Sequence, residues 1–314
     1  MLRINSPVPG RVLITGASGF TGPYLRAALE SRGHQVVGVA DHARNGLDTT
    51  VDLLDAAALD RFLENEPFDY VVHLAALATV VHDNAADYYR VNLLGALNLL
   101  EALARAKLPL KKIILASSAN IYGRPARIPV DESAVPAPLN HYGVSKYAMS
   151  SMARLWFDQL PILITRPFNY SGVGQSPKFV FAKIVGHFRD RAPQIELGNT
   201  SVVRELMDVR DVAAIYARLL ESKETSEAVN LCAGRGYRVD DVLQKLCTLT
   251  GVRLRINRAP ALVRGNEIPE LVGSPAKLSR LIGEPTFRPL EETLRWMVGK
   301  IGRASCRERV STDV

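Results

Sequence analysis

A glycine-rich stretch near the amino terminus, TGASGFTG, constrains the fold more than any other feature of the sequence. It places Gly16, Gly19 and Gly22 between an apolar run of strand length and a segment with helical periodicity. The first glycine permits a tight turn, the second lets the backbone approach a pyrophosphate at the helix amino terminus, and the third allows close packing of helix on strand. With a strand before it and a helix after it, the stretch predicts a dinucleotide-binding unit.

Strands and helices are predicted to alternate along the first half of the chain. Short apolar runs are separated by longer segments whose apolar residues recur with helical spacing. The predicted strands cover residues 11–16, 35–41, 69–76, 111–117 and 161–166, and the predicted helices cover 19–33, 55–66, 87–106 and 142–160. This alternation predicts an α/β fold, a Rossmann-type doubly wound parallel sheet with helices on both faces.

The second half is less regular and predicts a smaller α/β lobe that binds the substrate. We expect the dinucleotide-binding domain to span residues 1–170, with residues 208–233 returning to it. The lobe then consists of residues 171–207 and 234–300.

The last residues, 301–314, differ from the rest of the chain. They are rich in Arg and Ser, lack helical periodicity and resemble the translation of a sequencing adapter. We predict that this tail is not native and leave it out of the fold argument. It contributes +1 to the net charge of +7, so the remaining chain is basic without it.

Composition argues against several classes of function. The six histidines form no i,i+4 pair, so no metal site is expected, and three cysteines favour a reducing compartment over a disulfide framework. The longest apolar stretch, residues 70–81, is too short to span a bilayer. The basic charge is not concentrated in a dense run, which favours an anionic small ligand over nucleic acid. With no room for a signal peptide before Gly16, we expect a cytoplasmic protein.

The sequence YGVSK supplies a candidate acid–base group. Tyr142 and Lys146 are four residues apart and would share one face of a helix. A free tyrosine has a pKa near 10, and a lysine cation one turn away is expected to lower it. Ser118 lies upstream, in ASSANIYG, where the fourth predicted strand ends.

These motifs together resemble the extended branch of the short-chain dehydrogenase/reductase superfamily, the NAD-dependent epimerase/dehydratase family. The resemblance rests on the GxxGxxG spacing and on YGVSK with the upstream serine, and it covers residues 10–298. It implies that Ser118, Tyr142 and Lys146 are catalytic. A hydride would move between nicotinamide and a sugar carbon while Tyr142 transfers a proton at the oxygen, which Ser118 orients.

The resemblance also implies a cofactor site for NAD or NADP. Asp41, at the end of the second strand, would bind the adenosine ribose and favours NAD, whereas Arg44 could pair with the 2′-phosphate of NADP. Asp52 would flank the adenine, although a turn or helix-capping carboxylate is the alternative interpretation. The predicted cofactor residues are Gly16, Gly19, Phe20, Gly22, Asp41, Arg44, Asp52, Leu53, Leu74, Ala75, Ala76, Asn92, Tyr142 and Lys146.

A nucleotide-diphosphate sugar is the implied substrate. By position in the family's motifs, Asn169 and Arg204 would contact the diphosphate, and Arg264 and Glu267 would hold phosphate and ribose. Arginine suits a diphosphate because its planar fork donates two hydrogen bonds at once. The predicted substrate residues are Ser118, Asn120, Asn169, Lys178, Arg204, Arg264 and Glu267.

The segment TRPFNYSGVGQSPKFV, residues 165–180, is most similar to the GDP-mannose branch of the family. Within that branch the sequence most resembles the GDP-4-keto-6-deoxy-D-mannose reductases, although its Gly172–Gln175 turn lacks the usual proline. The resemblance implies NAD(P)H-dependent reduction of a 4-keto group, giving GDP-D-rhamnose. It also implies a homodimer joined through the helices near 87–106 and 142–160.

Two alternatives remain open from the sequence. A nucleotide-sugar 4-epimerase of the UDP-hexose type, with tightly bound NAD, would use the same three catalytic residues. A non-catalytic sensor or scaffold that binds dinucleotide is the second alternative, and the complete set of three argues against it. A dehydratase is disfavoured because Ala119 and Asn120 stand where dehydratases of the family carry an acidic pair.

Overall fold

The computed structural model describes residues 9–41, 48–64, 66–79, 84–263 and 265–301. In chain order the strands are β1 (Arg11–Thr15), β2 (Gln35–Ala40), β3 (Asp48–Thr50), β4 (Tyr70–His73), β5 (Lys112–Ala116), β6 (Ile162–Pro167), β7 (Tyr170–Ser171), β8 (Gln194–Leu197), β9 (Val203–Glu205), β10 (Met207–Asp208), β11 (Glu227–Leu231), β12 (Gly236–Arg238), β13 (Arg255–Arg258) and β14 (Glu270–Leu271). The α-helices are α1 (Gly22–Glu30), α2 (Ala56–Glu64), α3 (Ala85–Tyr89), α4 (Gly95–Ala106), α5 (His141–Ala153), α6 (Val180–Arg189), α7 (Val209–Glu221), α8 (Val239–Thr250), α9 (Ala276–Ile282) and α10 (Leu290–Ile301).

Seven strands form one parallel sheet in the order β11-β6-β5-β4-β1-β2-β3. The chain starts in the middle at β1, runs outward to β3, and then crosses back to build the other half. This order creates a switch point between β1 and β4, where ligands bind in doubly wound folds. The predicted fold class, a Rossmann-type doubly wound sheet, is confirmed.

Alternate side chains of the central strands enter two separate cores. In β5, Ile114 packs with the helices on one face, while Ile113 and Leu115 pack with those on the other. Helices α1 and α7 cover the first face, and α2, α4 and α5 cover the second. A strand buried on both faces must be apolar throughout, which explains the continuous apolar runs in the sequence.

The smaller lobe has its own core and three short sheets. Helices α6, α8 and α10 pack around Ile184, Leu246 and Leu294, which are almost fully buried. One short sheet pairs β13 with β8, a second has the order β12-β9-β14, and a third pairs β10 with β7. Strand β11 lies between lobe segments in the chain but belongs to the main sheet, so the chain leaves that sheet after β6 and returns to it.

The lobe is tied to the end of the main sheet by one buried carboxylate. Glu205, in β9, accepts hydrogen bonds from the backbone N–H groups of Ala233 (2.6 Å) and Gly273 (2.7 Å). Ala233 lies just beyond β11, where the main sheet ends. The bond to Ala233 therefore attaches the lobe to the edge where substrate residues were predicted, and the bond to Gly273 holds Glu205 within the lobe.

The structure differs from the predicted elements at four main places. The predicted helix 142–160 ends at Ala153 and is followed by a 3₁₀ helix, Arg154–Trp156. The first helix begins at Gly22 and not at residue 19, because residues 16–21 form the phosphate-type turn. The predicted helix 87–106 is interrupted by a π-helical segment, Arg90–Leu94. Strand β3 was not predicted, since its three residues have no apolar alternation. No helix among the described residues is both long and apolar enough to cross a bilayer.

Candidate active site

The carboxyl edge of the main sheet collects most of the predicted site residues. The glycine-rich turn follows β1, residues 74–76 follow β4, Ser118 follows β5 and Asn169 follows β6. Parallel strands bring their carboxyl ends to the same edge, so residues far apart in sequence become neighbours. Two predicted residues, Arg44 and Arg264, lie outside the described residues, as do residues 302–314.

The glycine-rich turn leaves no room for side chains at two of its three glycines. Gly16 has a φ of +70°, and a Cβ there would lie 2.6 Å from the backbone nitrogen of Ala75. At Gly22 a Cβ would lie 2.0 Å from the carbonyl oxygen of Ala17. Such distances forbid any larger residue, and the turn ends at the amino terminus of α1. A bare backbone turn at a helix start fits the pyrophosphate of a dinucleotide.

The predicted adenosine contacts lie beyond β2 and around residue 52. Asp41 is exposed directly after β2. Asp52 accepts a hydrogen bond from the backbone N–H of Leu54 (2.9 Å), as a turn carboxylate does. The carbonyl of Leu53 accepts a bond from the Asn98 amide (2.9 Å). This contact agrees with the alternative interpretation of Asp52 as a turn carboxylate. A role toward adenine stays a prediction.

Asn92 lies within the π-helical segment and joins two parts of the site. Its side-chain oxygen accepts from the backbone N–H of Leu77 (2.8 Å), and its amide donates to the Leu77 carbonyl (3.2 Å) and to Ser145 Oγ (2.9 Å). Ser145 in turn donates to the carbonyl of Tyr142 (2.8 Å). Asn92 is fully buried, so these contacts fix the loop after β4 relative to α5.

The three predicted catalytic side chains converge at this edge. Asn140 caps α5 by accepting a hydrogen bond from the Gly143 N–H (2.8 Å), which sets the first turn of the helix and thus Tyr142. The Ser118 side chain is close enough to the Tyr142 phenol to lower its pKa. Lys146 Nζ donates to the carbonyl of Ala116 at the end of β5 (2.7 Å). All three side chains are buried.

Burial controls the charge of this group more than the lysine does. It raises the pKa of Tyr142 to about 12, opposed only in part by the Ser118 side chain, and it lowers the pKa of Lys146 to about 7. The sequence predicted that the lysine cation would lower the pKa of the tyrosine. In the structure the pKa of Tyr142 is raised instead. Desolvation disfavours both charged forms, so Tyr142 is a protonated phenol at neutral pH.

A buried histidine beneath the site was not singled out by the sequence. The Nδ1 atom of His73 lies 2.7 Å from Thr15 Oγ1, and its Nε2 has no hydrogen-bond partner. Burial and the nearby Lys146 lower the pKa of His73 to about 3, so the imidazole is neutral. A histidine that ends an otherwise apolar strand was the available signal.

The two neighbouring serines of ASSANIYG have different surroundings. Ser118 caps the 3₁₀ helix Ala119–Tyr122, and its Oγ lies 3.2 Å from the Asn120 backbone nitrogen and 3.3 Å from its amide. Ser117 instead accepts from Ser150 Oγ (2.7 Å) and donates to the Lys146 carbonyl (3.3 Å). Ser117 thus packs β5 against α5, while Ser118 faces Tyr142.

The predicted substrate residues from Asn169 onward are less tightly assembled. Asn169 and Lys178 are exposed. The guanidinium of Arg204 donates to the carbonyls of Val203 (2.8 Å), Ile268 (2.6 Å) and Pro269 (3.4 Å).

Glu267 precedes Ile268 in the chain and is half-buried. It accepts a bond from the Asn199 amide (2.8 Å). Arg204 and Glu267 therefore belong to one neighbourhood, beside β9 and β14.

The described residues contain no group of three or more His, Cys, Asp or Glu side chains that could hold a metal ion. The groups placed at this edge are a phenol, a serine hydroxyl and a lysine amine beside a dinucleotide-type turn. These groups can transfer a proton to or from an oxygen next to a hydride acceptor or donor.

The chain as a whole is similar to known proteins. Residues 12–232 match the family model described as the NAD dependent epimerase/dehydratase family. The chain is 34% identical to the GDP-6-deoxy-D-talose 4-dehydrogenase of Aggregatibacter actinomycetemcomitans over 274 residues, covering 87% of this chain and 91% of that protein. It is 32% identical to the GDP-6-deoxy-D-mannose reductase of Pseudomonas aeruginosa over 299 residues, covering 91% of this chain and 95% of that protein.

A solved structure agrees with these relatives. The structure of RMD from Pseudomonas aeruginosa complexed with NADPH superposes with a TM-score of 0.83 at 30% identity, covering 94% of this chain and 99% of that chain. The resemblance inferred from the sequence is confirmed. The chain belongs to the NAD dependent epimerase/dehydratase family and is an NAD(P)-dependent enzyme of the extended short-chain dehydrogenase/reductase type.

Proposed function

We propose that this enzyme reduces the 4-keto group of a GDP-linked 6-deoxyhexose with NADH or NADPH. The observation that carries the proposal is the buried, protonated Tyr142 beside the buried Ser118 at the carboxyl edge of the sheet. Reduction of a ketone requires a proton donor at the carbonyl oxygen, and a phenol held in its neutral form is such a donor. When bound, the nicotinamide supplies the hydride.

The residues around Tyr142 have complementary roles in this proposal. Ser118 donates a hydrogen bond to the substrate oxygen and so stabilises the charge that develops there. Lys146, held by the Ala116 carbonyl, binds the nicotinamide ribose and restores the proton that Tyr142 gives up. Asn92 keeps α5 in register with the loop after β4. The glycine-rich turn binds the pyrophosphate through its backbone N–H groups.

We assign further cofactor contacts to residues at the carboxyl edge of the main sheet. We assign Asp41 to the adenosine ribose, and Asp52 and Leu53 to the adenine side. Residues 74–76 border the pyrophosphate, because the backbone of Ala75 already lies against Gly16. These assignments favour NAD, and measured affinities for NADH and NADPH test the preference.

The segment after Ser118 supports a reductase over a dehydratase. Removal of water from a sugar needs an acid and a base in addition to hydride transfer. Here Ala119 is buried and apolar, and the Asn120 amide is bonded to Ser118 Oγ. Neither side chain can exchange a proton as a carboxylate does.

The nucleotide and the sugar are proposed from the relatives. Both curated relatives are named for GDP-6-deoxyhexoses, one of the manno and one of the talo series. These two sugars are C4 epimers, so reduction of one 4-keto sugar from opposite faces yields both. GDP-D-rhamnose, which is GDP-6-deoxy-D-mannose, is our first candidate product, and the talo epimer is the second.

We assign the diphosphate and the nucleoside to the smaller lobe. Asn169, Lys178 and Arg204 would bind the diphosphate, since amide and cationic donors suit its oxygens. Glu267 would accept from the ribose hydroxyls, and Asn120 would contact the sugar beside Ser118. Arg264 retains its predicted phosphate role.

A homodimer is also proposed, through the helical surface around α4 and α5. Leu94, Val144 and Tyr147 are large apolar side chains with 44%, 37% and 39% of their surface exposed. Helix α5 packs against the π-helical segment that contains Leu94, so these residues belong to adjoining elements. Sedimentation of the wild type and of a Leu94→Glu Tyr147→Glu variant tests it: a dimer that becomes a folded monomer is expected.

The decisive experiment for the activity supplies GDP-4-keto-6-deoxy-D-mannose with NADH or NADPH. We expect oxidation of the reduced cofactor in step with loss of the ketone, and the proton coupling at C4 of the product distinguishes rhamnose from 6-deoxytalose. Thermal shift with GDP, UDP, dTDP and CDP tests the base, because a ligand that binds only the native state raises the midpoint.

Two results would replace the proposal. Turnover of a UDP-hexose without added cofactor would favour the 4-epimerase. Dinucleotide binding without turnover of any nucleotide sugar would favour the sensor or scaffold.

A further inference from the structure

Tyr170 lies at the junction of the two halves of the site. It follows Asn169 and begins β7, which pairs in parallel with β10. Its carbonyl accepts a hydrogen bond from the Gln175 amide (3.2 Å), so its backbone is fixed from the lobe side. Nothing in the sequence argument assigned this residue a role.

The side chain of Tyr170 contacts the glycine-rich turn from across the crevice. Its hydroxyl lies 2.8 Å from Thr21 Oγ1, the residue just before Gly22. Its ring stacks on Phe20, with the ring centroids 6.0 Å apart and the planes 16° from parallel. Two consecutive residues of the turn are therefore held by one side chain of the segment that carries Asn169.

The hydroxyl contributes something that the ring alone cannot. Stacking on Phe20 would survive in a phenylalanine, whereas the bond to Thr21 needs the oxygen. Burial raises the pKa of Tyr170, and the Thr21 bond opposes the rise. Tyr170 therefore stays a neutral phenol that can donate to or accept from Thr21.

We propose that Tyr170 is a positioning residue that fixes the glycine-rich turn from the substrate side, so that affinity for the dinucleotide depends on a side chain of the substrate-binding segment. The turn binds through backbone N–H groups, and their directions depend on how rigidly residues 20–22 are held. Tyr170 holds these residues through its contacts with the Thr21 hydroxyl and the Phe20 ring. The inference rests on the pyrophosphate role proposed for the turn.

The test measures the dissociation constants of NADH and NADPH for the full-length protein without any sugar, by quenching of protein fluorescence. Tyr170→Phe and Thr21→Val each remove one half of the bond while keeping the shape. We expect each to weaken binding of the preferred dinucleotide about 3- to 10-fold, the usual range for one hydrogen bond. The double variant should bind the dinucleotide as tightly as either single variant, because the two substitutions remove the same hydrogen bond.

A matched control is Tyr24→Phe. Tyr24 also bridges to the lobe, donating to the Val173 carbonyl (2.7 Å), but this bond does not involve residues 16–22. We expect its dissociation constant to stay within twofold of the wild type. Equal weakening in Tyr24→Phe, additive effects of the two variants, or unchanged binding in Tyr170→Phe would each overturn the inference.

The result is separable from the proposed function. Gly22→Val blocks the turn itself and should abolish dinucleotide binding. Thermal melting of each variant shows whether it is folded. If folded Gly22→Val still binds like the wild type, the pyrophosphate role fails. If Gly22→Val loses binding and Tyr170→Phe does not, only the inference about Tyr170 fails. Neither result depends on which sugar is reduced.

Discussion

The residues proposed as catalytic at the edge of the main sheet and those proposed to bind the substrate from Asn169 onward are built in different ways. Ser118, Tyr142 and Lys146 are buried on regular elements or their caps. Ser118 accepts a hydrogen bond from the Asn120 backbone N–H, and Lys146 donates one to the Ala116 carbonyl. Asn169 and Lys178 are exposed and lie on connections. Hydride chemistry needs a fixed geometry, whereas a nucleotide sugar can order exposed side chains as it binds. Under the proposed function, the buried residues carry out the hydride chemistry and the exposed residues select the substrate.

The largest expected effect comes from the buried residues. Tyr142→Phe removes the proton donor and keeps the ring, so kcat should fall by about 10²- to 10⁴-fold while the melting temperature changes little. Steady-state reduction of the keto sugar measures it. Tyr147→Phe, one turn along the same helix and partly exposed, is the control and should retain wild-type kcat. Activity of Tyr142→Phe within twofold of wild type would exclude Tyr142 as the acid.

Ser118→Ala should follow, with kcat reduced about 100-fold, as when one donor to a developing oxyanion is lost. Ser117→Ala is the matched control, because Ser117 contacts Ser150 and the Lys146 carbonyl. We expect the control to lose some stability and little kcat. Equal losses of kcat in the two variants would mean that Ser118 acts only through packing.

Lys146→Met should raise the stability of the protein and abolish its activity. The folded pKa of Lys146, about 7, lies below its usual value of 10.5, so the unfolded state binds more protons between these values. The wild-type free energy of unfolding should therefore rise with pH across this window. The variant should lack that rise and be about 1–4 kcal/mol more stable at neutral pH, with activity lost.

Denaturant unfolding of both proteins at several pH values checks this prediction. If Lys146→Met has a lower free energy of unfolding than the wild type at neutral pH, the hydrogen bond from Nζ to the Ala116 carbonyl outweighs the cost of burying the charge. Lys223→Met is a control, since Lys223 is exposed.

The smallest effect is expected in the lobe. Arg204→Ala should raise the KM for the nucleotide sugar about tenfold with kcat within twofold, as for loss of uniform binding. Its guanidinium also bonds the carbonyls of Ile268 and Pro269, so melting temperature must be measured as well. A lower melting temperature with unchanged KM would assign Arg204 to the fold alone. A matched control is Arg235→Ala, an exposed arginine of the adjacent turn.

The sequence predicted the parallel sheet and the family with little ambiguity, because both depend on local patterns. The glycine spacing and continuous apolar strands are properties of neighbouring residues. The raised pKa of Tyr142 and the lowered pKa of Lys146 could not be predicted from the sequence, because they depend on how deeply both side chains are buried. The contacts of Arg204 with residues 268 and 269 were equally inaccessible, because they join segments more than sixty residues apart.

The contact between Tyr170 and Thr21 illustrates the same limit. It joins Tyr170, directly after Asn169, to Thr21, which precedes Gly22 and lies 149 positions earlier in the chain. An aromatic residue directly after Asn169 was visible in the sequence. Its partner was not, because only the packing of the lobe on the sheet brings the two hydroxyls together.

The π-helical segment at Arg90–Leu94 has a consequence for insertions and deletions. A π turn holds one more residue than an α turn, and each residue of an α-helix advances about 100° around the axis. Tyr88 before the segment and Leu99 after it are both buried, although no single uninterrupted helical register governs the stretch between them. Deleting one residue there would restore a regular helix and rotate one half of it against the other. A length change of one residue, with no change in chemical character, would then turn either the Asn92 side or the core side of this helix away from its partners.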